Sequence, residues 1–336
     1  MTEQTGQRVL LGHTGGRNKD AWEVFKVRDE DRFEGPIPRE AVVDRLFNFK
    51  AVAQPVFTHD ASGKLRQVEG SRAIVNNRTD HVFKIAGPDY RIHQFDEWLL
   101  EGLDKILDTD EFGIGLAGVY EQSARAFVMI ERPESIPSAS GMSVRPQILA
   151  ATSHDSRYAT NFRATAEFVV CTNIIDFTRR KGNPAFFVRH SKYSSLKVDD
   201  ARKVLDLLVT AGEQVTSVVD KLADVTVTDE QWQEIVERLV PLKEKSPART
   251  VARIGNKRER LHQMWVDDPR CAPWNGSALG AFQVFNCYRQ HHAGSDNSRL
   301  KRNMTDILST PTGTTDEAIL STIADVTRAQ VLAMQP

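Results

Sequence analysis

Read for the period of its apolar positions, the chain changes character near residue 195. Before that point, short β-branched and aromatic runs are broken by turn formers, the pattern of strands. "AVAQPVFT", "RAIVNN" and "HVFKIAG" fall between about 47 and 92, with turns at Asp60–Gly63 and Gly87–Asp89. "HQFDEWLLEGLDKILD" (93–108) breaks the pattern. Its apolar residues at 95, 98, 99, 103, 106 and 107 predict an inserted helix. Residues 111–133 predict a hairpin turning at Glu121–Ala124, and "QILAATSH", "EFVVCTNI" and "NPAFFVRH" predict further strands. From Lys197 to Leu222, aliphatic residues recur at helical spacing. Thr228, followed by Asp229 and Glu230, reads as the N-cap and acidic first turn of another helix. More helices are expected over about 250–266, 278–292, 298–308 and 315–333.

Strands gathered first and helices last predict an α+β fold: an antiparallel β-rich N-terminal half with an inserted helix, then a helical C-terminal half. The expected organisation is a loosely structured polar segment (1–46), a β-rich core with basic loops (47–196), and a helical region packed on it (197–336).

Composition narrows the class without naming an activity. At 40% hydrophobic and 26% charged, the chain is ordinary for a globular protein. No apolar run approaches the roughly 20 residues needed to span a bilayer, and the N-terminus lacks a signal-peptide pattern. Cys171, Cys271 and Cys287 are odd in number and far apart, which predicts reduced thiols and a cytoplasmic location.

Charge changes the picture more. The net charge of −1 conceals alternating blocks. Residues 142–203 carry 11 Lys/Arg against 5 Asp/Glu, and 243–302 carry 12 against 5. Between them, 204–242 carry 2 against 8. Basic blocks that meet in space would attract an anionic partner.

Several motifs fail on inspection. Gly113-Ile-Gly115-Leu-Ala-Gly118 is a literal G-x-G-x-x-G, but a predicted helix precedes it and a strand follows, the reverse of a dinucleotide fold. Ser153-His154-Asp155 is contiguous, so its side chains point to different sides and cannot converge as a triad. A turn in which Ser153 and Asp155 satisfy local backbone groups is the plainer reading. Cys171 ends "EFVV" and reads as a packed strand residue. Cys287, His291 and His292 match no strong zinc spacing.

The basic constellation remains. Arg157, Arg163, Arg179, Arg180, Lys181, Arg189, Lys192 and Lys197 are expected in turns or at element ends, as phosphate contacts. Tyr158 and Tyr193 lie beside cations and are candidates for stacking on bases, with His154, His190 and Asn173 as polar supports or base-edge contacts. "RTVARIGNKRERLHQMW" (249–265) reads as a basic helix, either simply solvated or a second phosphate contact.

"SHDSRYATNFRATAEFVVCTNIIDF" followed by "FFVRHSKYSSLKVDDAR" resembles a family of phage- and plasmid-borne proteins of unknown function. Its members carry Ser-His-Asp-Gly, then Val-Val-Cys-x-Asn, then an Arg-His segment entering a helix. Ser156 stands here where the family has glycine. The resemblance implies a bacterial-host cytoplasm and a phage or plasmid process. In outline the chain is similar to phage single-strand annealing recombinases, which form oligomers and act without catalysis. The expected function is therefore a non-catalytic, homo-oligomeric protein that binds or anneals single-stranded DNA in recombination or replication. No cofactor is expected, with Mg2+ as the one option. The alternatives are a metal-dependent hydrolase or nuclease using His154, Asp155 and His190, and a host-factor-binding protein.

Overall fold

A computed structural model describes residues 7–12, 27–101, 112–131, 134–168, 173–175, 186–195, 212–295, 298–299, 302–303, 305 and 315–328. The α+β reading holds: two largely antiparallel sheets occupy the N-terminal half, and helices follow.

The larger sheet has nine strands. Its main path runs β11 (Asn173–Ile175), β10 (Thr160–Phe168), β9 (Ser143–Ser153), β7 (Arg125–Glu131), β6 (Gly113–Tyr120), β1 (Arg8–Gly12) and β2 (Arg32–Phe33). Short strands β12 (Phe186–Val188) and β8 (Ile136–Pro137) pair with β10 and β9. A second sheet joins β3 (Ala51–His59), β4 (Leu65–Asn76) and β5 (Val82–Ala86). β9 and β7 are central and buried on both faces, and carry the apolar runs Ala126–Ile130 and Ile148–Ala151.

Within residues 1–46, the described stretches 7–12 and 27–46 carry regular structure. Arg8–Gly12 pairs with β6, and Leu10 and Leu11 are fully buried. The buried carboxylate of Asp31 anchors this region, 2.7 Å from Arg8 Nη2 and 3.2 Å from Arg28 Nε. The polar residues around this strand read as solvated, yet the Asp31 carboxylate is buried and satisfied by arginines in place of water.

The predicted helix at 93–108 is, where described, a π-helical turn at Asp96–Glu101 that buries Trp98, Leu99 and Leu100. Leu99 and Leu100 of this turn and Val42 of α1 (Arg39–Arg45) join Leu46, Phe47, Phe49, Phe83 and Phe95 in one cluster against a face of the large sheet. Strand faces follow from the register: Ile148, Ala150 and Phe162 line that face, while Leu149, Ala151 and Phe127 line the other.

The glycines of 113–118 belong to this packing. A Cβ at Gly113 would lie 2.7 Å from the Pro36 side chain, one at Gly115 2.2 Å from the Glu131 carboxylate, and one at Gly118 2.7 Å from the Phe127 ring. β6 contains all three, so the motif serves close approach within a sheet.

The helical half forms its own cluster and extends it to Met142, Val144 and Ala166 of the sheet. It contains the helical residues 212–224 (α2), α3 (Asp229–Leu239), α4 (Ala248–Asp267), α5 (Ala278–Cys287) and α6 (Thr315–Thr327). Thr228 caps α3 as predicted, through a reciprocal pair with Gln231. Trp232 and Trp265 stack at 4.5 Å in the centre. Trp274 Nε1 donates to the Ser140 carbonyl at 3.0 Å, tying helices to sheet.

Candidate nucleic-acid interface

The Ser-His-Asp run ends β9 and opens the turn into β10. Ser153 Oγ accepts from the Tyr158 amide (3.2 Å) and donates to the Tyr158 carbonyl (2.9 Å), closing the turn. Asp155 accepts from the Arg157 amide at 3.0 Å and from Arg125 Nε at 2.7 Å. The turn is built as its sequence suggested, by local side-chain-to-backbone bonds. Ser156 sits at φ +57°, a left-handed conformation that glycine adopts without a steric cost. Ser156→Gly is therefore expected to stabilise the chain by about 0.5 kcal/mol, the exposed Lys84–Ser156 contact being a small loss. A urea midpoint that falls would contradict this.

His154 points inward. It is 1% exposed, stacks on Phe95 at 4.0 Å and 9°, and lies 5.2 Å from the Phe83 ring. Its Nδ1 is buried without a hydrogen-bond partner. Burial, and then nearby His190, push its pKa down to about 3.

Two further histidines join it. His93 is fully buried between Trp98 (3.6 Å) and His190 (4.0 Å). Its Nδ1 meets Thr160 Oγ1 at 2.6 Å and its Nε2 meets Ser194 Oγ at 2.9 Å. Ser194 Oγ donates to the Ser191 carbonyl, so its lone pair takes the His93 Nε2–H, and Nδ1 accepts from Thr160. His190 stacks flat on Tyr90 at 5.2 Å, and its Nδ1 donates to the Arg91 carbonyl at 3.2 Å. Burial lowers His93 to about 2 and His190 to about 4. Neutral imidazoles thus clamp residues 189–195 onto β9 and β10.

What the clamp presents is basic and aromatic. Arg189, Lys192 and Tyr193 are exposed, Tyr193 to 82%. Lys192 Nζ stands 5.2 Å from that ring and 3.0 Å from Asp89. Arg91 Nη1 donates to the Ser194 carbonyl at 2.5 Å, closing the turn from the other side. Lys84 lies 4.6 Å over Tyr90, and Arg157 is exposed on the neighbouring turn.

The predicted site residues divide on this geometry. Arg157, Arg189, Lys192 and Tyr193 lie at the surface, with half-buried His190 beneath them. Tyr158 is half-buried and shares a hydroxyl contact with Tyr120 at 3.2 Å. Arg163 is 2% exposed in mid-strand, opposite Leu149, so the expectation that every basic position sits in a turn is corrected for this one. Strand alternation turned it inward, beside the buried Arg145, Gln147 and Glu131. His154 is likewise an interior residue. Asn173 pairs through its backbone with Phe168. Arg179, Arg180, Lys181 and Lys197, along with Cys171, lie outside the described residues.

Lys84, Tyr90, Arg91 and His93 were missed. The signal was available in "KIAGPDYRIHQ", where cations and aromatics alternate, but only the fold shows that it meets "VRHSKYS".

His154, Asp155 and His190 do not form a metal set. Asp155 is held by Arg125, His154 is enclosed by phenylalanines, and His190 binds a carbonyl through Nδ1. Among the described residues, no three His, Cys, Asp or Glu side chains are grouped to hold an ion. Nor is any described helix long and apolar enough to cross a membrane.

A family profile described as "Domain of unknown function (DUF932)" matches residues 82–313. No curated protein and no solved structure matches the chain.

Proposed function

The chain belongs to the DUF932 family, whose function is unknown, and from that premise we propose that it binds single-stranded nucleic acid. In this reading Arg157, Arg189 and Lys192 contact phosphates and Tyr193 stacks on a base. The observation that carries the reading is the exposed Arg189–Lys192–Tyr193 turn, fixed on the sheet by buried His93. A tyrosine that is 82% exposed contributes almost nothing to folding, and a stacking platform flanked by cations is what a strand requires. Preorganisation by the histidine clamp lowers the ordering cost of binding. Annealing of complementary strands, assembly into homo-oligomers, and service to a phage or plasmid process extend the same proposal.

The test is fluorescence titration of oligo-dT at low salt. Arg189→Gln with Lys192→Gln is expected to weaken binding about tenfold and to flatten its salt dependence. Tyr193→Ser is expected to weaken binding without changing the salt slope. Absence of binding at low salt, or affinities unmoved by these substitutions, would overturn the reading.

A further inference from the structure

The second basic block of the sequence forms a cleft of its own, built on different elements from the interface above. Its volume is about 800 Å3, within the usual range for small-ligand sites. One wall is helix α4, which presents Arg249, Arg253 and Lys257 at i, i+4 and i+8. The other walls are the end of α3 with Val240 and Pro241, and the turn after α5 with Tyr288, Ala293 and Gly294. Arg258 holds the first of these in place, donating to the Val240 carbonyl at 3.1 Å through Nε and 2.9 Å through Nη2.

Three features of this cleft call for an anionic occupant. First, no carboxylate among the described residues lines it, although 45 acidic residues are spread over the chain. Second, three cations on one helical face repel one another, and like charges at i, i+4 destabilise a helix. Arg249 and Arg253 form no ion pair among the described residues that would offset this. Third, Lys257 is half-buried with its ammonium 5.4 Å from the Tyr288 ring. Burial, and then Arg253, lower its pKa, so a bound anion would relieve both causes.

Apart from Asn256, the side chains of the remaining wall are apolar, Leu239, Val240, Pro241, Ala252 and Ile254, with the Tyr288 ring beside them. Charge on one side and an apolar wall with an aromatic ring on the other suit a phosphate attached to a flat ring. We propose that this cleft is a binding site for a nucleoside monophosphate, with Arg249, Arg253 and Lys257 on the phosphate and the base against Tyr288 and the apolar wall. The proposal does not rest on the single-strand interface, because no residue is shared between them.

Isothermal titration of the full chain with adenosine 5′-monophosphate, adenosine and inorganic phosphate tests it. The nucleotide is expected to bind, and the other two to bind at least about tenfold more weakly, because each lacks half of the contacts. Arg249→Gln with Arg253→Gln, both exposed and outside the core, should weaken the nucleotide about tenfold and leave the melting temperature in place. Tyr288→Leu should weaken the nucleotide while leaving binding of inorganic phosphate unchanged. A 5′-phosphorylated oligo-dT compared with its 5′-hydroxyl form distinguishes a strand end from a free nucleotide as the source. Preference for the phosphorylated end, removed by the arginine variants, supports the same site. No detectable nucleotide binding, binding unmoved by the arginine variants, or phosphate alone binding as tightly as the nucleotide would overturn the proposal. The Arg189/Lys192 variant should retain nucleotide binding, so failure here and failure of the interface reading are read separately.

Discussion

Lowering the pH from 7.5 to 5.5 is expected to cost the fold about 3 kcal/mol, seen as a fall in the urea midpoint. The cause is the trio His93, His154 and His190, whose pKa values in the fold lie near 2, 3 and 4. The ordinary value in an unfolded chain is about 6.5. These folded values are depressed, so the native state holds neutral rings while the unfolded state takes up protons. Stability is complete above about pH 6.5 and falls as pH drops toward about 4, where His190 itself begins to titrate. At pH 5.5 each of the two fully enclosed histidines contributes a loss of about 1.3 kcal/mol, and His190, only half-buried, supplies the smaller remainder. His154→Phe supplies the control. It removes a titrating ring whose Nδ1 has no partner and keeps the stack on Phe95, so about two-fifths of the pH dependence should vanish. A midpoint that is flat between pH 7.5 and 5.5 would show that the rings are not held neutral.

Gly115→Ala should destabilise the chain by roughly 2–4 kcal/mol, because the new methyl would occupy the space of a buried carboxylate. Glu131 is fully buried, accepts from Gln147 Nε2 at 2.8 Å and lies 3.8 Å from Arg145 Nη1, itself fully buried. Moving that carboxylate strains an ion pair that has no water to fall back on. Gly255→Ala in α4, where an added methyl meets nothing within 4 Å, should instead stabilise by about 0.5–1 kcal/mol. Equal midpoints for the two variants would contradict the close approach at Gly115.

Local patterns were readable because they depend on neighbours in sequence. The N-cap at Thr228 and helix α4 appeared close to where their spacing placed them, as did the hairpin turning at Glu121–Ala124. The 93–108 stripe was read as a regular helix, yet its described part is a π-helical turn. Periodicity reports which residues share a face and does not fix the hydrogen-bond step beneath them. Arg163 failed for a related reason. Alternation assigns a strand residue to one face, but whether that face meets water depends on what lies over it.

By itself, the sequence determined an α+β order, the helical half, two basic blocks, and the improbability of a Ser-His-Asp triad. Only the tertiary structure brought His93, His154 and His190 together from three distant segments and turned His154 and Arg163 inward. It also set Arg189, Lys192 and Tyr193 on an outer turn and folded Arg249, Arg253 and Lys257 around Tyr288. The physical reason is that charge and periodicity are properties of neighbours along the chain. Burial and convergence are properties of partners across the sheet or on another helix, which no local pattern encodes.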